Sequence, residues 1–364
     1  MKNTHLMNFS HILNSKKTAL SLILGVFLTF CACNTFAIQH EEHVKEEKNA
    51  EEEAFNPTTA ILEHIGDSHY WHVLGETSIP LPVILFTDKG TEFFSSAVFH
   101  HGTEAHQGQF YTYKLVEDKI KAVDANGEVD KEASSHVYDF SITKNVLAMW
   151  IAGTLILIIF MSVASSYKKR EGKAPKGLQS LVEPIIMFVR DEIARPNIGR
   201  GYQRYMPILL TIFFFIWMNN LLGLVPLFPG GANVTGNIMF TFVMSAIVML
   251  VVNFSANKYY WKHIFLPDVP VWLYPIMIPV ELIGVISRPF ALMIRLYANI
   301  SAGHIIVLSL ISLIFIFKSI AVAPVSILFV LFMDVLELLV AFLQAFIFTM
   351  LTALFIGTAV EDHH

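Results

Sequence analysis

Cysteine is nearly absent: 364 residues hold two, Cys31 and Cys33, both inside one N-terminal apolar segment. Cleavage after them leaves a mature chain with no disulfide, and cleavage before them leaves one or both thiols. There is no glycine-rich nucleotide loop, no metalloprotease helix and no hydrolase nucleophile elbow, so the common signatures of enzymatic group transfer are missing. The Cys/His spacing of a structural zinc site is missing too. So are the inverted repeats with broken helices that many secondary transporters show. Net charge is small, −5, and segregated: acidic segments lie early and basic clusters flank the apolar runs.

What the chain has is apolar length. It is 54% hydrophobic with mean hydropathy +0.54. Several stretches exceed the roughly 18 apolar residues that mark a membrane span. The class is therefore a polytopic α-helical membrane protein.

Residues 1–37 read as a signal peptide, in which Lys16 and Lys17 precede the apolar core TALSLILGVFLTF and small residues lead to Ala37. A first span, or a lipoprotein-type site at Cys33, is the alternative. Cleavage would put residues 38–140 outside the cytoplasm. That region opens on the acidic run EEHVKEEKNAEEE, a solvated linker or exposed helix. Short aromatic and β-branched runs follow: HYWHVLG, IPLPVILFTDKG, TEFFSSAVFH, QFYTYKLVED and HVYDFSI. Turn residues separate them, which predicts a small β-rich domain. Its histidines (His64, His69, His72, His100, His101, His106, His136) lack metal-site spacing, and packing or surface roles are expected.

Residues 144–165 predict the first span of the mature chain, and YKKREGKAPK after it marks the cytoplasmic side. This agrees with a secreted N-terminal region by an independent argument. Residues 178–195 predict an interfacial amphipathic helix ending before Pro196. Residues 206–228 predict a second span holding Asn219 and Asn220, which ordinarily would be interhelical glue. PGGANVTGN predicts an outside turn, with N-V-T as a weak glycosylation pattern. Residues 237–255 predict a third span, and NKYYWKH an interfacial belt.

Two apolar stretches remain, about 271–317 and 320–360, with Lys318 and Pro324 marking the turn between them. Each would run roughly 60–70 Å as one helix, about twice the hydrocarbon thickness. Each either breaks into two spans or is one strongly tilted helix. The first carries Glu281, Arg288 and Arg295, seven apart and on one helical stripe, with Asn299 near it. A guanidinium stays charged, and at a helix centre in lipid it costs roughly 2.5–3.5 kcal/mol. Such a residue ordinarily faces a water-filled path or an ionisable partner; a snorkelling role is as good a reading for Arg288, but not for Arg295. His304 lies nine residues beyond Arg295, on the opposite face and about 13 Å along the axis. The second stretch carries Glu337 and Gln344 on one face, with Asp334 nearer the interface. Antiparallel packing brings His304 and Glu337 to comparable depth. A His–Glu pair there suits a proton relay, or else is a structural ion pair.

IRLYANISAGH, LQAFIFTMLTALF and MNNLLGLVP followed by NVT closely resemble signatures of the a-subunit family of rotary F-type ATP synthases, over about residues 144–360. The resemblance implies five transmembrane helices, the last two long and tilted, and a non-catalytic stator subunit. It implies two proton half-channels meeting at a rotating c ring. Arg295 would be the essential arginine facing that ring. His304 and Glu337 would line the extracytoplasmic half-channel, with acid and histidine exchanged relative to some bacterial members. Asn299, Gln344 and Asn220 match polar positions of the family, and Glu281 an acidic one on the cytoplasmic side. Ala298 stands where glycine is common. Implied partners are c-ring subunits, peripheral-stalk b subunits, the remaining ATP synthase subunits and the lipid bilayer; no nucleic acid, metal or cofactor is implied. The implied location is a bacterial inner membrane, with residues 38–140 in the periplasm and the C-terminus cytoplasmic. The rival is a self-contained secondary ion or metal transporter; a signal-anchored receptor would leave Arg295 unexplained.

Overall fold

The computed structural model describes residues 65–74, 77–116, 118–124, 126–170, 172–225, 230–266, 269–317 and 322–361. The signal-peptide reading of 1–37, the acidic run and Lys318 lie outside the described residues.

The first part is built of short strands: β1 (Tyr70–Leu74), β2 (Thr77–Pro80), β3 (Pro82–Thr87), β4 (Gly90–Ser95), β5 (His106–Gln107), β6 (Thr112–Val116), β7 (Lys119–Val123) and β8 (Val137–Asp139). A one-turn helix, α1 (Lys131–Ser135), precedes β8 and is capped by the Asp130 carboxylate. The strands form three small antiparallel sheets, in orders β1-β2, β4-β3-β8 and β5-β6-β7. Each of the five aromatic runs named above contains a strand, because alternation puts residues such as Val83 and Leu85 on one buried face. TEFFSSAVFH is strand only to Ser95; Ser95 then accepts from the Ala97 N–H and starts a 3₁₀ turn. Buried Glu92 is satisfied by the Gln109 and Phe110 N–H groups and the Tyr113 hydroxyl, at 2.8, 3.0 and 2.7 Å. Three of the histidines make packing contacts: His69 pairs with Asp139, His101 stacks on Tyr70, and His106 lies against Phe94 and Phe99; His100 and His136 are exposed, and His64 lies outside the described residues.

The rest is helical: α2 (Lys144–Lys169), α3 (Leu178–Phe188), α4 (Arg195–Ile198), α5 (Met206–Leu224), α6 (Ile238–Ser255), α7 (Lys258–Phe265), α8 (Tyr274–Phe317) and α9 (Ala323–Val360). Five of these, α2, α5, α6, α8 and α9, are long and apolar enough to cross a membrane. The two long stretches do not break. α8 is continuous for 44 residues through Pro279 and Pro289, and α9 for 38 residues.

The helix expected to end before Pro196 continues past it. A π-helical turn, Val189–Ala194, follows α3, so Pro196 falls in the first turn of α4, where its missing N–H costs nothing. The buried side of this segment, Val182, Ile186, Val189 and Ile193, packs into the bundle.

In lipid, transfer out of water no longer drives helices together, and close packing has to do it. α9 shows how. Its buried face carries small residues every fourth position, Ala341, Ala345, Thr349, Ala353 and Gly357, which admits α5, α4, α6 and α8. Gly357 lies directly under the Asn197 carbonyl of α4, with no room for a side chain.

Candidate functional site

α8 and α9 form an antiparallel pair, and the polar residues along them fall into separate places. Arg295 and Asn299 are exposed, on the outward face of α8. The same two helices expose large apolar side chains, among them Phe290 and Ile294 of α8 and Val335, Leu339 and Leu343 of α9. Among the described residues no carboxylate lies within ion-pair distance of Arg295.

His304 turns the other way. Its Nδ1 lies 3.0 Å from Glu337 Oε1, with the two side chains 18% and 5% exposed. The approach is close but not aligned as a hydrogen bond, and that carboxylate oxygen has no hydrogen-bond partner among the described residues. Burying a carboxylate in this state is costly unless a cation or proton joins it. The site therefore sets two ionisable side chains against each other inside the bundle. Asp334, exposed one turn earlier on α9, is within electrostatic reach of both.

Two glycines make the space. A methyl group on Gly303 would sit 2.9 Å from Glu337 Oε1, and one on Gly223 of α5 would meet the Ala232 carbonyl at 3.2 Å and His304 Nε2 at 3.9 Å. Neither glycine drew notice in the sequence reading, although Gly303 directly precedes His304.

Asn220, Gln344 and Glu337 are all buried on the facing sides of α5 and α9. Asn220 is tied twice: its amide donates to the Ala341 carbonyl at 3.1 Å, and its Oδ1 accepts from the Thr235 hydroxyl at 2.6 Å. Ala341 is one turn past Glu337, so Asn220 lies beside the acid. Asn219 instead donates back to the Phe215 carbonyl of its own helix.

Thr235 belongs to the segment expected to be an outside turn. That segment does link α5 to α6, and it is buried rather than open. Ala232, Asn233, Val234 and Thr235 are all buried. The Asn233 side chain accepts from the Gly236 N–H, and Ser301 of α8 donates to the Gly236 carbonyl. Folded this way, N-V-T is no glycosylation acceptor. Its polar groups serve the bundle instead, so the segment is a plug wedged between α5 and α8 on the His304 side.

At the far end of α8, Glu281 and Arg288 are half-buried, so they do not share the open exposure of Arg295. The Arg288 guanidinium lies over the Phe355 ring, 5.8 Å from its centroid. It opens into a shallow recess lined by Asn253, Tyr260 and Pro289. The buried Asn253 Oδ1 has no hydrogen-bond partner among the described residues. Tyr260 feels both the Arg288 and Glu281 charges.

One helix thus carries three polar stations: Arg288 and Glu281 near its start, Arg295 and Asn299 open to one side, and His304 closed against Glu337 on the other.

The family model described as ATP synthase A chain matches residues 146–357. A separate model for a domain of unknown function matches residues 60–140. The chain is similar to ATP synthase subunit a of Chloroherpeton thalassium, 44% identical over 271 residues, covering 72% of this chain and 77% of that one. It is 47% identical over 235 residues to ATP synthase subunit a 2 of Chlorobaculum tepidum, covering 62% and 66%. It is 41% identical over 277 residues to ATP synthase subunit a 2 of Prosthecochloris aestuarii, covering 74% and 85%.

Proposed function

This chain belongs to the ATP synthase A chain family, and from that premise we propose that it is the proton-translocating stator subunit of an ATP synthase, with Arg295 as the barrier between two half-channels. The observation that carries this reading is the opposed placement of Arg295 and His304. Nine residues apart on one continuous helix, the first is exposed and the second is closed against Glu337.

The exposed apolar face of α8 and α9 is the track for a ring of small subunits, each with a membrane carboxylate. At about 4 Å, a cation and a carboxylate attract by about 4 kcal/mol near a protein surface. That is about three pKa units, enough to strip the proton as the carboxylate passes Arg295. Facing lipid, the same carboxylate must be neutral. Rotation is thereby tied to loading on one side and release on the other.

His304 and Glu337, with Asn220 and Gln344 beside them, form the extracytoplasmic half-channel. Glu281 marks the cytoplasmic one, and Asn299 accompanies Arg295 on the ring face. The arrangement performs no covalent chemistry. Residues 1–37 act as a signal peptide, residues 38–140 lie in the periplasm of a bacterial inner membrane, and residues 141–364 form the membrane part with a cytoplasmic C-terminus. Besides the ring, the partners are the peripheral-stalk b subunits and the remaining ATP synthase subunits.

The test is ATP-driven proton pumping in membrane vesicles carrying Arg295→Ala, with assembly checked by co-purification. Pumping lost from an intact complex supports the barrier; pumping retained refutes it.

A further inference from the structure

The strand-rich region is not an independent attachment. Trp71, on β1, is 1% exposed and belongs to the same apolar core as the membrane helices. Its indole N–H donates to the Gly230 carbonyl at 3.2 Å, a contact between residues 159 apart in sequence. The neighbouring residues clamp the start of α2. Asp67 accepts from the Asn145 N–H and the Thr143 hydroxyl, and the Ser68 carbonyl accepts from the Lys144 N–H. The Asp67 carboxyl thus supplies the cap that Thr143 does not supply to its own helix. Residues 67–71 are therefore fastened at one end to α2 and at the other to the plug.

Gly230 is the first described residue of that plug, and it has no slack. A side chain there would collide with the Leu222 and Val225 carbonyls. Gly231 donates to Leu222, Ala232 backs the Gly223 and His304 contact, and Thr235 holds Asn220. The path from Trp71 to the His304–Glu337 pair is thus a short, buried and sterically tight backbone.

We propose that the strand-rich region caps the His304 end of the proton path and sets its geometry through Trp71, a positioning residue acting on Gly230. The proposal rests on His304 and Glu337 being a half-channel. It gives residues 60–140, matched by a family model of unknown function, a role in proton conduction.

The experiment uses whole ATP synthase in membrane vesicles, with pumping normalised to co-purified complex and measured across pH. Three variants are compared: Trp71→Phe, which keeps an apolar ring and removes the N–H donor; Trp71→Ala; and His304→Ala. The charged groups around His304 are Glu337 and Asp334 of α9, and both stay in place. Trp71→Phe is expected to slow pumping per complex about 2- to 10-fold, the range of one lost hydrogen bond, and to displace the pH profile in the direction His304→Ala displaces it. Trp71→Ala is expected to do more. A wild-type rate and profile per complex in both Trp71 variants, with His304→Ala altered, overturns the proposal, even if those variants assemble in smaller amounts. An unaltered His304→Ala profile overturns the half-channel reading instead, and the proposal with it.

Discussion

Gly303 and Glu337 are in contact across the α8–α9 interface: a methyl group on the glycine would stand 2.9 Å from the carboxylate oxygen that faces His304. The acid can approach the imidazole only because residue 303 has no side chain.

Gly303→Ala is therefore expected to displace the Glu337 carboxylate. Overpacking of this kind costs about 1–3 kcal/mol when neighbours must shift. Pumping should fall while the complex assembles, and Gly303→Ser should be at least as damaging. The measurement is proton pumping per complex; an alanine variant at wild-type rate would mean that the pair's geometry is not what limits conduction.

Replacing Glu337 by Gln keeps the shape and removes the charge opposite His304. We expect slower pumping with an altered pH profile, and an altered profile likewise in His304→Ala. In the double variant the two effects should be far from additive, since one contact is lost in each case. Additive losses would show that the two residues act separately despite their 3.0 Å approach.

The strand-rich region carries its own pH dependence through His69 and Asp139, 2.9 Å apart. Burial pulls the His69 pKa down, but the Asp139 hydrogen bond and charge, aided by Asp67 and Asp118, hold it above its ordinary 6.5. Burial likewise raises Asp139, but the His69 bond and charge and Ser141 hold it below its ordinary 3.8. The histidine's contribution is complete below its unfolded pKa and is lost as pH rises through the raised value. The aspartate's contribution is present above its unfolded pKa and is lost as pH falls through the lowered one. Asp67 works the other way on the acid side, because burial raises it against the opposing bonds from Asn145 and Thr143 and the Lys144 charge. His69 therefore contributes a loss of stability as pH rises above 6.5. Thermal unfolding of strand signals against pH should show it, and His69→Gln or Asp139→Asn should flatten it. An undiminished loss in both variants would assign it elsewhere.

The helix stack at Gly357 gives a pure packing test. Gly357→Leu forces α9 off the Asn197 carbonyl, and the bundle has no other surface for it there. Less assembled complex is expected, with normal pumping per surviving complex. A reduced rate per complex would tie this contact to conduction.

The sequence made the helices legible because apolar length is a signal no local interaction overrides. The seven-residue spacing of Arg288 and Arg295 and the nine-residue step to His304 needed only helical geometry, and α8 keeps that geometry through two prolines. The small-residue face of α9 was also there to read, at four-residue spacing from Ala341 to Gly357. What could not be read was what depends on distant partners. A proline after helical sequence normally signals an end, and only the π turn at Val189–Ala194 moves Pro196 into a tolerated position. Gly-Gly and Asn-Val-Thr look like a solvent turn, and their burial comes from Ser301 and Asn220, which lie outside the segment. Trp71 looked like any strand aromatic until Gly230 appeared beside it.

That last contact has a consequence for how the protein is made. Trp71 leaves the ribosome 159 residues before the carbonyl that completes its site. At about 5–20 residues per second, synthesis spends roughly 8–30 s between the two. Over that interval the strands pair among themselves, but one core tryptophan has no seat. The strand-rich region is thus completed only after α5 and the chain beyond it have emerged. Burial of that single indole therefore reports that the later segment is in place.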